Sequence, residues 1–256
     1  MAGKKSKAVD TVAPAQLYPV KTLWCQPKLL GGKDCKETCR CDDGHEYAVK
    51  LNAPTKEAAH NEWLCARLAQ RSGVHCPPFN LVDRLDDANI WFGSQWINGE
   101  IRDWWLKLSD FTGLEEIWSR IFAFDLFVNN VDRHLTNFLC LPENGNLKLY
   151  AIDHSRAWLF SSFPPSGVVM SPTSRTMAAH KDIRRMFNPV FDLDSANNTL
   201  DKLAQITSIE VKTIIEDHPK LWLTRNARRN IVKWWDDKAP SRVLSIKKGL
   251  KDGSLF

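Results

Sequence analysis

Residues 114–128 constrain the fold more than any other segment. Ile117, Trp118, Ile121, Phe122, Phe124, Leu126, Phe127 and Val128 recur at helical spacing and cover nearly every face of the helix they predict. A helix that is apolar all round belongs inside a large core. Asn129-Asn130 ends it. The next six residues, Asp132-Arg-His134-Leu-Thr-Asn137, read as a short polar loop held at the edge of that core. Phe138-Leu139-Cys140-Leu141 then reads as a strand, Asn144-Gly145 as a turn, and 147–152 as a returning strand that delivers Asp153.

The chain before this helix has a different character. Residues 1–16 read as a loose basic tail. Residues 18–51 read as strands and turns, with Gly31-Gly32, a turn at Asp42-Asp43-Gly44, and an alternating strand Glu46-Tyr-Ala-Val-Lys50. Residues 55–71 predict a helix with Trp63, Ala66 and Leu68 inward, stopped by Pro77-Pro78. Residues 89–97 read as a short aromatic strand, closed by a turn at Asn98-Gly99. Its end, Gln95-Trp96-Ile97, is counted with the nucleotide-binding residues. After a Pro- and Ser-rich stretch, helices are predicted at about 195–206, 208–217, 221–236 and 239–250. The expected organisation is α+β: a tail (1–16), a small β-rich lobe (17–98) and a larger helical lobe (99–256). With 256 residues, the chain has the mass for a two-lobed domain.

Asp132, Asn137 and Asp153 form the pattern that carries chemistry. Phosphoryl transfer asks little covalent work of a protein. It needs metal ions on phosphate oxygens and a carboxylate that orients the attacking hydroxyl. Asp132 supplies such a carboxylate, while Asn137 and Asp153 supply the hard oxygens that suit Mg²⁺. Their D-x-x-x-x-N spacing is that of a kinase catalytic loop. Asp and Asn are also common turn residues, but the buried helix before them and the strand ending at Asp153 favour function. Upstream, Tyr-Ala-Val-Lys50 is close to the V-A-I-K pattern whose lysine holds nucleotide phosphates; the alternative is a surface lysine. Glu62, in the following helix, stands where an acid pairing Lys50 is needed, or is a solvated charge. Gly31-Gly32 is either a phosphate-approaching loop or an ordinary hairpin turn.

Together these runs resemble the HipA-type serine/threonine kinases. The matching residues are Asn-Asn-Val-Asp132-Arg-His134-Leu-Thr-Asn137 with Ala-Ile-Asp153-His. Upstream, Gly31-Gly32, Asp43-Gly44, Val49-Lys50 and Asn61-Glu62 match, and so does Pro219…Trp222 in the tail. The loop is similar also to that of phosphoinositide kinases. The resemblance implies a kinase-like two-lobed fold, ATP and Mg²⁺ as cofactors, and a protein substrate. It implies Asp132 and His134 in the catalytic loop, His134 fixing that loop by hydrogen bonds. Asp153 is followed by His-Ser rather than Phe-Gly, and no Ala-Pro-Glu follows, so regulation through a standard activation loop is not expected. The rival readings are a phosphoinositide-type lipid kinase, whose basic substrate loop has only Lys181, Arg184 and Arg185 as candidates, and a catalytically dead kinase-fold binding module. The intact Lys50, Asp132, Asn137 and Asp153 oppose the latter.

Composition narrows the rest. The net charge of +5 is below the footprint of a dedicated nucleic-acid binder. The segment 220–251 holds ten Lys/Arg against two Asp, with Trp222, Trp234 and Trp235 interleaved. Inward-packed tryptophans under a solvated basic face are the expectation there, ahead of RNA binding. No apolar run approaches the roughly 20 residues that cross a bilayer, and the lysines near Met1 lack the apolar stretch of a secretory signal. Seven cysteines without that signal predict reduced thiols and a cytoplasmic protein. The spacing of Cys35, Cys39, Cys41 and His45 does not match a zinc module.

Overall fold

The computed structural model describes residues 18–27, 35, 37–50, 58–85, 87–97, 103, 113–143, 146–158, 169–187 and 191–256. The basic tail and the Gly31-Gly32 pair lie outside them.

Five strands close into a barrel in the order β1-β2-β3-β5-β4. They are β1 (Val20–Pro27), β2 (Glu37–Cys41), β3 (Glu46–Lys50), β4 (Phe79–Asp83) and β5 (Ile90–Gln95). The β2–β3 turn is the expected one. Gly44 takes φ 82°, a conformation costly for other residues, and Asp43 accepts from the His45 N–H at 3.0 Å and the Tyr47 hydroxyl at 2.6 Å. Alternation along β3 sends Tyr47 and Val49 into the barrel, where they meet Val20, Cys39, Cys41 and Val82. β1 closes the barrel by pairing parallel with β4 at Val20↔Val82. Strand β4 is not apparent from the sequence, because Pro77-Pro78 and a short mixed run mask its pattern.

α1 (Ala58–Ser72) packs on β5 and on the helices α2 (Leu114–Val128), α4 (Leu193–Gln205) and α5 (Ser208–Glu216). Trp63, Ala66 and Leu68 are buried, as their spacing predicts, and the Trp63 indole N–H donates to the Ile214 carbonyl at 2.9 Å. α2 (Leu114–Val128) has the predicted bounds and is the centre of the main core, surrounded by α4 (Leu193–Gln205), α6 (Arg225–Lys251) and the hairpin β6–β7 (Phe138–Glu143, Asn146–Ala151). α5 (Ser208–Glu216) opens on a capping box between Thr207 and Glu210. α3 (Arg175–Phe187) emerges from the Pro- and Ser-rich region, where no helix is read from the sequence alone.

Two expectations need correction. The helices predicted at 221–236 and 239–250 are one: a 3-10 turn, Lys220–Trp222, precedes a single α6 that runs through Pro240. Proline inside a helix costs about 3 kcal/mol. Trp234, Trp235, Ala239, Val243 and Ile246 on both sides of it are buried in the core, and that apolar area outweighs the cost. The thiols are also not all reduced. Cys25 and Cys39 face each other across β1 and β2 and are joined as a disulfide, leaving Cys35, Cys41, Cys65, Cys76 and Cys140 free. The tryptophans of the basic 220–251 segment do pack inward: Trp222, Trp234 and Trp235 are buried. No helix among the described residues is long and apolar enough to cross a membrane.

Inside the barrel one position admits no side chain. A Cβ on Gly93 would lie 2.5 Å from Val82 Cγ2 and 3.0 Å from Tyr47 Cδ1. We predict that Gly93→Ala lowers stability by about 1–3 kcal/mol through overpacking. A thermal melt should show Tm falling by several degrees; an unchanged Tm would reject this account of the interior.

Candidate active site

The site begins where α2 stops. A helix end leaves its last carbonyls without partners, and here they are met from outside. The Arg242 side chain, on α6, donates to the carbonyls of Phe127 at 2.8 Å and Leu126 at 2.7 Å, and to that of Val169 at 2.7 Å. Burial brings its pKa down to about 10, so it stays charged at neutral pH. Asn129 takes the left-handed conformation, φ 50°, and Asn130 turns back to donate to the Asp125 carbonyl at 2.9 Å and the Asp125 carboxylate at 3.0 Å.

The loop is then pinned by Arg133, which is almost wholly buried. Its Nε and Nη2 donate to the two carboxylate oxygens of Asp125 at 2.8 and 2.9 Å. Its Nη1 donates to the carbonyls of Asn137, at 3.0 Å, and Ile152; its Nη2 donates to His154 Nε2 at 2.9 Å. All five guanidinium protons are therefore used. One side chain fixes both ends of the 132–137 loop and the strand end that precedes Asp153. A guanidinium only donates, so His154 accepts at Nε2 and carries its proton on Nδ1, 3.9 Å from Glu62 Oε2. Burial, then Arg133, pushes its pKa well below the usual range. The sequence reading missed Arg133 and Asp125. The signal was there: a lone carboxylate in an otherwise apolar helix requires a buried partner.

Lys50, Glu62 and Asp153 come together from three parts of the chain. Lys50 Nζ lies 2.5 Å from Glu62 Oε1 and 2.9 Å from Asp153 Oδ1. Asp153 sits at φ 59° and also accepts from the Ser155 hydroxyl at 2.7 Å. Asn61 donates to the Ser155 carbonyl at 3.0 Å, tying α1 to the same segment. Burial disfavours the Lys50 charge, but Glu62 and then Asp153 outweigh it and raise its pKa. Burial likewise opposes ionisation of Asp153, but Lys50, Ser155 and Arg133 hold it below the usual carboxylate range. Glu62 is raised, by burial first, with Lys50 opposing and Asp153 adding. Two carboxylates share one ammonium here, so the cluster is short of positive charge. An additional cation at Asp153 suits that electrostatic balance.

Asp132 is partly exposed at the start of the loop. Its oxygens meet Arg175 Nη1 at 3.1 Å and Arg156 Nε at 3.3 Å, two residues that sequence reasoning did not single out. Asn137 donates through Nδ2 to the Asp132 carbonyl at 3.0 Å, which leaves Oδ1 as its ligand-type oxygen. His134 pairs through Nδ1 with the Thr136 hydroxyl at 2.8 Å, within the loop, and burial lowers its pKa. Gln95, Trp96 and Ile97 line a cavity of about 410 Å³ with Arg40, Glu46, Leu141 and Tyr150; Lys50, Asp132 and Asp153 do not border it.

The crystal structure of the Helicobacter pylori proinflammatory kinase CtkA superposes with a TM-score of 0.55 at 11% identity, covering 90% of this chain and 97% of that one. The HipA complex with HipB and operator DNA from the Shewanella oneidensis MR-1 toxin–antitoxin system superposes with a TM-score of 0.53 at 11% identity, covering 91% and 67%. At such identity the likeness shows a shared mixed α+β fold. No curated protein matches by sequence. A family model described as HipA-like kinase matches residues 31–245, a span that holds β2 to β5 of the barrel, the Lys50–Glu62–Asp153 cluster and the Arg133-pinned loop, and so the chain belongs to the HipA-like kinase family.

Proposed function

We propose that the protein transfers the γ-phosphate of ATP to a serine or threonine hydroxyl of a protein. The observation that carries this reading is the buried Lys50 ammonium held between Glu62 and Asp153, residues separated from it by 12 and 103 positions. An ion triad of this kind orients the lysine toward phosphate oxygens. In this reading residues 17–98 form the nucleotide-binding unit and residues 99–256 carry the catalytic loop. Asp153 and Asn137 would hold Mg²⁺, and Gln95, Trp96 and Ile97 would contribute to nucleotide binding. Bound Mg²⁺ neutralises charge on the phosphate oxygens.

The chain's own residues do the positioning. Lys50 binds the phosphates and is kept charged by its two carboxylates. Asp132 accepts a hydrogen bond from the acceptor hydroxyl and takes its proton as the hydroxyl oxygen bonds to the γ-phosphorus and the bond from that phosphorus to the β–γ bridging oxygen breaks, releasing ADP. Arg133 and His134 hold the loop in shape without touching the reacting atoms. The acceptor is a protein in this reading; labelled ATP offered with a cell lysate or with phosphoinositide vesicles separates it from a lipid kinase. Label entering only the vesicles would overturn the protein assignment.

Three substitutions test the roles. Asp132→Asn keeps the shape of the loop but loses the charge, so melting and ATP binding should persist while turnover falls by about two orders of magnitude or more. An active, stable Asp132→Asn protein would reduce Asp132 to a turn residue. Asp153→Ala should abolish Mg²⁺-dependent ATP affinity in a calorimetric titration; unchanged affinity rejects the metal role. Lys50→Met removes the cation between two buried carboxylates. Turnover and Tm should both drop, and wild-type values for both would make Lys50 a bystander.

A further inference from the structure

Asp153 needs more than a fixed backbone to act as a metal ligand. The backbone beside it is held, because Arg133 takes the Ile152 carbonyl and the His154 ring. The carboxylate still turns about its Cβ–Cγ bond, a terminal torsion whose preference is broad and two-fold. Its orientation is therefore set by what its oxygens touch. Lys50 Nζ reaches Oδ1 at 2.9 Å. An ammonium is a rotatable point charge on a flexible stem, so it attracts the oxygen without selecting the plane of the group.

Ser155 supplies the missing direction. Its hydroxyl donates to the same Oδ1 at 2.7 Å. Two donors from different parts of the chain fix the place of that oxygen and the plane of the carboxylate, and both bonds fall on Oδ1 rather than Oδ2. The serine is itself anchored. It is wholly buried, and its carbonyl accepts from Asn61 Nδ2 at 3.0 Å. Asn61 precedes Glu62, which holds Lys50 at 2.5 Å. Both donors on Oδ1 therefore take their reference from one turn of α1. A serine two residues after an aspartate is a common local turn contact. Turn formation alone, however, does not call for Asn61 and Lys50, which bridge 94 and 103 positions to reach this segment.

We propose that Ser155 is a positioning residue for the metal: its hydroxyl sets the Asp153 carboxylate in the orientation that takes Mg²⁺ with the nucleotide, and Asn61 gives it α1 as its reference. This rests on the reading of Asp153 as a metal ligand above, and Ser155 acts only through Asp153. Hydrogen bonds to a ligating group tune metal affinity in this way.

The test reads nucleotide binding in the full chain, by displacement of a fluorescent ATP analogue, once with Mg²⁺ and once with EDTA. Ser155→Ala keeps the backbone carbonyl that Asn61 holds and removes only the hydroxyl. It should weaken Mg²⁺-ATP about tenfold, the scale of losing a partner of a metal ligand, and leave metal-free ATP unchanged. In an Asp153→Ala background the same substitution should have no effect, since a positioning residue does nothing without the group it positions. Should Ser155→Ala not fold by melting, Ser155→Cys, which keeps the volume but offers only a weak S–H donor, carries the comparison. An equal loss with and without Mg²⁺ makes Ser155 a structural residue, and unchanged Mg²⁺-ATP affinity makes its hydroxyl a turn contact. A loss that persists without Asp153 places its action elsewhere. Each of these overturns the proposal. Asp153→Ala separates it from the reading beneath it. If that variant loses Mg²⁺-dependent affinity and Ser155→Ala does not, the proposal falls alone. If Asp153→Ala changes nothing, or the wild type binds no nucleotide, the metal role falls and takes the proposal with it.

Discussion

The site depends on one buried ion pair, Arg133 with Asp125. Removing two charges from water costs several kcal/mol per ion, and the attraction between them recovers this only with good geometry and full hydrogen bonding. Both conditions are met. The pair is bidentate, and the three remaining guanidinium protons go to the carbonyls of Asn137 and Ile152 and to His154. Asp125 is on a core helix, so the pair anchors a polar loop to the main core. Asp132, Asn137 and Asp153 flank the backbone segments that it holds.

The second constraint is electrostatic. Lys50, Glu62 and Asp153 bind β3, α1 and the segment after β7 into one cluster, in surroundings where an unpaired charge is costly. Two carboxylates there outnumber one ammonium. Close by, Asp132 meets the guanidinium groups of Arg156 and Arg175, which come from the segment after β7 and from the start of α3.

Much of this is legible in the residues because the signals are local. The apolar periodicity of α2, the turn at Asp43-Gly44, the spacing of Asp132 and Asn137 and the strand ending in Lys50 each depend on near neighbours. The α1 face bearing Trp63 and Leu68 is equally local, and it carries Glu62 with it. Where the reading failed, distant contacts had overruled local preference. Pro240 should break a helix, but apolar burial on both sides of it keeps α6 continuous. The α3 helix follows a run of turn formers, yet Thr176 and Arg175 tie its first turn to the backbone of Val131 and Arg133. Cys25 and Cys39 are fourteen residues apart, and only the β1–β2 register makes them partners.

The sequence by itself determined the kinds of chemistry present: a helix that must be buried, a carboxylate–amide loop behind it, a returning aspartate and a lysine at a strand end. These follow from residue type and short-range periodicity, which folding does not alter. Only the tertiary structure decided which charges meet. It gave Lys50 both Glu62 and Asp153, made Arg133 the anchor of the loop, and placed Arg156 and Arg175 on Asp132. The physical reason is that charge pairing in a folded chain depends on distance and burial, and neither is encoded in the separation of residues along the sequence.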